Sequence, residues 1–249
     1  MIVKRKTAMN IRKAHRYLGI FIGIQFIMWT VSGLYFSWTD IDEIHGDHFK
    51  KEQPQKAAFP ELASPSSLHP GLEISSIELQ EIAGEAYYYI NDHLLINARS
   101  GKMLDQISEE QALEIAGRYM KNELEVADVQ LIKETGKHHE YREKLLPAYV
   151  ISYKGDENLK AYIGAGNGSF ETVRHRNWRW FDFLWMTHTM DYEGRDDFNN
   201  SLLRAFSLLG LITVLSGFLL WYISSPTVRK IVQPKKKKKK TKKNNFQAN

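Results

Sequence analysis

The acidic residues of this chain are confined to one window. All 29 lie between Asp40 and Asp197, while the flanks hold 17 Lys and Arg and no Asp or Glu. Both borders of the window are apolar: residues 17–39 and 205–228 carry no charge. A helix needs about 20 apolar residues to cross a bilayer, and each segment is long enough. Lys4, Arg5, Lys6, Arg12, Lys13 and Arg16 precede the first segment, and Arg229, Lys230, Lys235 to Lys240, Lys242 and Lys243 follow the second. Basic residues stay on the cytoplasmic side, so both termini are expected in the cytoplasm and the acidic middle across the membrane. The charge map therefore predicts an α-helical membrane protein with two transmembrane helices and one large external domain.

Composition narrows the partners. The middle region carries 17 basic and 29 acidic residues, a net charge of −12, although the whole chain is +5. The overall pI of 9.1 thus reflects basic residues beside the spans. Anionic lipid headgroups suit such residues, at about 1 kcal/mol each, and no nucleic-acid role is expected. The chain has no cysteine, which excludes disulfides, thiolate metal sites and iron–sulfur clusters. The first apolar segment is too long for a signal peptide, and Ser37-Trp38-Thr39-Asp40 offers no cleavage site of small residues. It is expected to be a retained anchor.

The organisation reads as a basic cytoplasmic N-terminus (1–16), transmembrane helix one (17–39), a polar linker (40–72), an external α+β domain (73–176), an aromatic interfacial segment (177–201), transmembrane helix two (202–224) and a Lys-rich cytoplasmic tail (225–249). In the first span His15, Gly19, Gly23, Phe26, Thr30 and Gly33 share one helical face. Its small residues would let another helix or a flat ligand approach the backbone. Within the domain, Ile77 to Ala86 reads as helical, Tyr87–Ile90 and Leu94–Ile96 as strands, and Ser100-Gly101 as a turn. Ser108 with Gln111 marks a helix start. Strands are expected at 126–132, 148–153, 161–163 and 170–173, with a hairpin turn over Gly164–Gly168. That glycine run opens onto a strand and so is no nucleotide cradle. Residues 177–192 hold three Trp and two Phe, a density suited to a helix at the membrane surface.

No nucleophile–base pair, phosphate loop or zinc-protease motif is visible. The histidines are the only candidate redox or metal ligands. His15 lies at the cytoplasmic start of span one, His45 and His48 form His-x-x-His beyond its other end, and His188 lies in the aromatic segment. A neutral imidazole held between helices can ligate haem iron or a divalent metal. An interfacial side chain among headgroups is the structural alternative. His138-His139 falls in a Lys/Glu-rich hairpin and reads as solvated.

Several stretches resemble one family. Lys13-Ala14-His15-Arg16-Tyr17-Leu18-Gly19 resembles the start of the first span in the PepSY-associated transmembrane family. Residues 161–173 resemble the hairpin that closes a PepSY domain. Leu184-Trp185-Met186-Thr187-His188, followed by Gly194 and Arg195, resembles the family's segment before its next span, and Leu215–Trp221 resembles the end of that span. The resemblance implies that the external α+β unit is PepSY-like. It implies kinship with haem-containing ferric-siderophore reductases of the bacterial inner membrane, with the domain in the periplasm. His15 and His188 then become haem iron ligands, with His45 and His48 as further candidates, and haem b the expected cofactor. Longer relatives carry four spans from a repeated unit, whereas this chain has one unit, and Trp185 stands where the family often has a further His. His15 and His188 would lie roughly 30 Å apart across the hydrocarbon core, so they would serve separate irons. A homodimer or a partner membrane subunit would complete each ligand set. The expected function is haem-based electron transfer to periplasmic ferric chelates. The alternative is a membrane-anchored PepSY module that binds a periplasmic peptide or protein without catalysis.

Overall fold

A computed structural model describes residues 5–52 and 57–227. Lys4 and the basic run from Arg229 to Lys243 lie outside the described residues. Two helices are long and apolar enough to cross a membrane: α1 (Arg5–Trp38) and α6 (Ser201–Ser224). They contain the two uncharged stretches of the sequence. Asn200 caps α6, its side chain accepting from the Leu203 N–H. The chain divides into two units: residues up to Thr30 with those from Asn199 onward, and Val31–Phe198.

In the first unit α1 runs against α6. Phe21 stacks on Phe206 at 5.6 Å, and the Phe26 ring lies over Gly210, where an added Cβ would come within 2.9 Å of it. Ile22 is fully buried here. Ile20, Ile24, Ile27, Leu208, Leu211, Leu215 and Phe218 are exposed, as side chains solvated by lipid should be.

The second unit is built around two antiparallel meanders. β1 (Ile77–Ile82), β2 (Glu85–Ile90), β3 (Leu94–Asn97) and β4 (Met103–Leu104) form one sheet in chain order. β5 (Val126–Ile132), β6 (Ala148–Tyr153), β7 (Lys160–Gly164) and β8 (Phe170–Arg174) form the other. α4 (Glu109–Tyr119) joins them. Ser108 and Gln111 close a full capping box at its start, as the sequence predicts. Its buried residues Ala112, Ile115 and Ala116 enter one core with Ile82, Tyr87 and Leu95 of the first sheet and Ile151, Ile163 and Val173 of the second. Each large aliphatic side chain buried there contributes about 1.5–3 kcal/mol.

The expected helix over Ile77–Ala86 is instead a hairpin, with Ile77 paired to Ile90 and Ile82 to Glu85. Glu78-Leu79-Gln80-Glu81 favours helix locally, but pairing with the Tyr-rich β2 overrides that weak preference. Ala83 and Gly84 both take positive φ and turn the chain. Gly168 is needed for two reasons: its φ is +66°, and a Cβ there would lie 2.5 Å from Ile82 Cδ1.

The polar segment 40–72 holds α2 (Ile41–Ile44), a 3-10 turn at Asp47–Phe49 and α3 (Pro65–Leu68). Phe59, Leu62, Leu68 and Leu72 cover the face of the first sheet that α4 leaves open, against Tyr88, Ile90 and Ile96. β2 is therefore buried on both faces. α5 (Arg176–Thr189) follows β8 directly.

Candidate functional site

Each unit contains one histidine seat, and the two are built alike. In the first, His15 of α1 places Nδ1 2.7 Å from Ser216 Oγ on α6. The Ser216 hydroxyl also donates to the Thr213 carbonyl at 2.7 Å. A hydroxyl has one proton, and that proton is committed to the carbonyl. The contact with His15 must therefore be Nδ1–H donating to Oγ. A neutral His15 then keeps its lone pair on Nε2. Gly217 leaves room beside the ring: an added Cβ would stand 3.3 Å from His15 Cε1 and 3.9 Å from Nε2. On the His15 face of α1, nothing among the described residues lies within 4 Å of a Cβ built at Gly19 or Gly23. Packing against α6 within this chain does not account for those two glycines.

In the second unit, His188 of α5 places Nδ1 2.7 Å from Oγ of the fully buried Ser32 on α1. Gly33 again supplies the space, with a Cβ there 4.0 Å from His188 Cε1. Phe36 stands edge-on to the His188 ring at 5.5 Å. Phe181 and Trp185 pack on the same Phe36 at 5.0 and 5.6 Å.

A rigid seat holds α5. Arg179 donates from Nε and Nη2 to the Glu140 carboxylate at 2.7 and 3.0 Å, and from Nη1 to the Asn158 carbonyl at 2.8 Å. Tyr162 donates to Glu140 at 2.6 Å, and Lys160 lies 3.5 Å away. Burial pushes the Glu140 carboxyl up, but Arg179, Tyr162 and Lys160 outweigh it and hold the group below the usual range. Arg174, buried beneath this network, is pushed down to about 10 by desolvation, and its guanidinium lies 3.9 Å above the Trp178 ring. Asp182 of α5 is paired with Arg142 at 3.0 Å and with Arg195. Beyond the helix, the Asp191 carboxylate accepts from the N–H groups of Asp197, Gly194 and Glu193, which hold it below its ordinary value. Gly194 and Arg195, part of the family-like sequence pattern, thus shape the loop that leaves α5.

The other histidines lie in different surroundings. His45 ends α2 and is exposed. His48 is exposed, with its ring against Phe49 and 5.3 Å from His175. His138 is exposed, and His139 Nδ1 accepts from the Tyr141 N–H at 3.1 Å. No group of three or more His, Asp or Glu side chains arranged for a metal ion occurs among the described residues.

Sequence reasoning passed over three residues. Ser32 was unmarked, and Ser216 counted only as small. The detectable signal was the Ser-Gly pair in both spans, after Thr30-Val31 in one and after Thr213-Val214-Leu215 in the other. His175 had no signal. It is fully buried before α5, with Nε2 3.1 Å from the Ile44 carbonyl and Nδ1 without a partner. Burial lowers its pKa, so Nε2–H donates to Ile44 from a neutral ring.

These features define a class: a membrane protein whose two apolar helices flank an α+β domain and receive histidines at serine–glycine notches. The chain belongs to the PepSY-associated TM region family, whose model matches residues 2–243. A search of curated proteins found no match, and a search of solved structures found none.

Proposed function

We propose that this protein carries haem b and transfers electrons within the bacterial inner membrane, taking part in the reduction of ferric chelates for iron uptake. In this reading both termini are cytoplasmic and the α+β domain is periplasmic, as the charge map favours. The observation that supports it most is the Ser216 hydroxyl. By accepting from Nδ1 it leaves Nε2 of His15 as the free donor, beside a stretch of α1 cleared by Gly19 and Gly23. That is the donor chemistry of an axial imidazole with its second nitrogen fixed. His188 would hold a second haem from its seat on Ser32. Bound haem supplies one-electron transfer, and the protein's part is to fix the imidazoles and exclude water. His48 is engaged with Phe49 and His175, so we assign the missing axial ligands to a second copy of the chain or a partner subunit. Gly19 and Gly23 would admit the close approach of a homodimer helix.

The test is the Soret absorbance per protein, oxidised and dithionite-reduced, for chain expressed with ample haem. His15→Ala and His188→Ala should each deplete or detune one haem and spare the other, whereas His138→Ala should change neither. Wild-type protein without a Soret band overturns the reading and favours an anchored PepSY module that binds a periplasmic peptide or protein.

A further inference from the structure

We propose that α5 is sunk into the bilayer rather than resting on it, and that its Trp180–Phe183 face is a phospholipid-contact surface with Arg176 at the level of the lipid phosphates. The proposal is independent of haem. It starts from the way the structure divides the aromatic residues that the sequence presents as one block. Phe181, Trp185 and His188 turn toward α1 and pack on Phe36. Trp180 and Phe183 turn away, 58% and 45% exposed, with their rings edge-on at 6.1 Å. Positions 180, 183 and 184 share one helical face, and the buried Asp182, tied to Arg142, marks the side that faces the domain.

The depth follows from the partners on α1. Ser32 and Phe36 both belong to the uncharged segment 17–39. At 1.5 Å per residue, Ser32 lies about 9 Å along the helix from Trp38. Phe181 and Trp185 meet Phe36, and His188, further along α5, meets Ser32, one turn deeper. The C-terminal half of α5 is thus fastened at apolar depth by one face. Whatever solvates α1 at that level also meets the face of α5 that protein does not cover.

The chemistry of the uncovered face agrees. An open hollow of about 660 Å³ is lined by Asp156, Asn158, Arg176, Arg179, Trp180 and Phe183. Arg179 is committed to Glu140 and Asn158. Arg176 is exposed at the start of the helix, steadied by the Asp156 carbonyl. A guanidinium above and two aromatic rings below reproduce the polarity of a phospholipid, phosphate over glycerol and acyl chain. Trp and Arg at this boundary are a common interfacial anchor.

The chain has no native cysteine, so single-site spin labels need no background removal. Full-length Phe183→Cys, Arg176→Cys and His138→Cys are labelled with a nitroxide and reconstituted in phosphatidylethanolamine/phosphatidylglycerol vesicles. Collision with oxygen reports hydrocarbon, and collision with a water-soluble nickel chelate reports solvent. The oxygen-to-nickel ratio is expected to be several-fold higher at 183 than at 138, with 176 between them. Trp180→Cys repeats the measurement on the same face with Phe183 intact. A ratio at 183 and 180 equal to that at 138 places the face in water and overturns the proposal. Exclusion of both colliders overturns it in favour of a protein partner or a second copy.

Discussion

Glu140→Ala is expected to cost the α+β domain about 3 kcal/mol, at the lower end of the ~3–5 kcal/mol range for removing one partner of a buried ion pair. The structure sets that value. The Glu140 side chain is 13% exposed and receives Arg179 through two nitrogens, together with the Tyr162 hydroxyl. Its removal strands a buried phenol and a guanidinium, and takes a counter-charge from the buried Arg174. Arg179 at 28% and Lys160 at 31% exposure recover some hydration, which keeps the loss near the lower bound. The Arg174 bond to the Glu140 backbone carbonyl, 3.0 Å long, survives the substitution. At about 2–4 °C per kcal/mol for a unit of this size, the melting midpoint should fall by roughly 6–12 °C. Near-UV circular dichroism of the full chain in nanodiscs reads that midpoint. In an Arg179→Met background the same substitution should cost markedly less, because the two side chains act on each other. A fall of less than about 3 °C, or strict additivity with Arg179→Met, would refute the view that this carboxylate anchors α5.

Gly210→Val forces a Cβ within 2.9 Å of the Phe26 ring and should loosen α1 from α6 by about 1–3 kcal/mol, seen as earlier loss of helix packing in detergent titration. Gly23→Leu, at a position with open space, should leave that packing intact and lower cross-linked dimer in membranes. Burial depresses the pKa of His175, with His48 lowering it further and Glu157 opposing. A base with a depressed folded pKa binds its proton more readily when unfolded. Its contribution is therefore flat above about pH 6.5 and destabilises progressively as pH falls through that value, by at most about 1.4 kcal/mol per pH unit. The wild type should accordingly lose its thermal-midpoint advantage over His175→Gln between neutral and mildly acid pH, and parallel profiles would contradict the assignment.

What the sequence made legible depended on the range of the interaction. Both spans followed from charge and apolar length, and α4 from its Ser108 capping box, all local signals. The β5–β8 meander followed from β-rich runs separated by turn residues. Ile77–Ala86 misled because its side chains favour helix, and only the distant Tyr87–Tyr89 strand makes it a hairpin. The histidines were visible as residue types. Their seats were not, because each bond joins residues far apart: His15 to Ser216, and His188 to Ser32. The α5 anchor was equally hidden, since Glu140, Lys160 and Arg179 lie in a loop, a strand and a helix. Unaided, they read as ordinary surface charges.

The two seats explain residues that do nothing for their own helices. A serine hydroxyl in an apolar helix is costly to desolvate unless it is bonded, and a mid-helix glycine costs about 1 kcal/mol against alanine. Ser32-Gly33 and Ser216-Gly217 place both penalties side by side, once in each span. In each pair the hydroxyl meets an imidazole Nδ1 and the glycine opens the space beside Cε1. The order along the chain is His15, Ser32-Gly33, His188, Ser216-Gly217, so each histidine and its notch come from different helices. α1 gives one histidine and one notch, α5 gives the other histidine, and α6 gives the other notch. His188 is therefore oriented by residues within 31–198, whereas His15 gains its seat only when α6 is in place. The unit of construction is an imidazole with a serine–glycine notch, and one repeat of this family contains two of them.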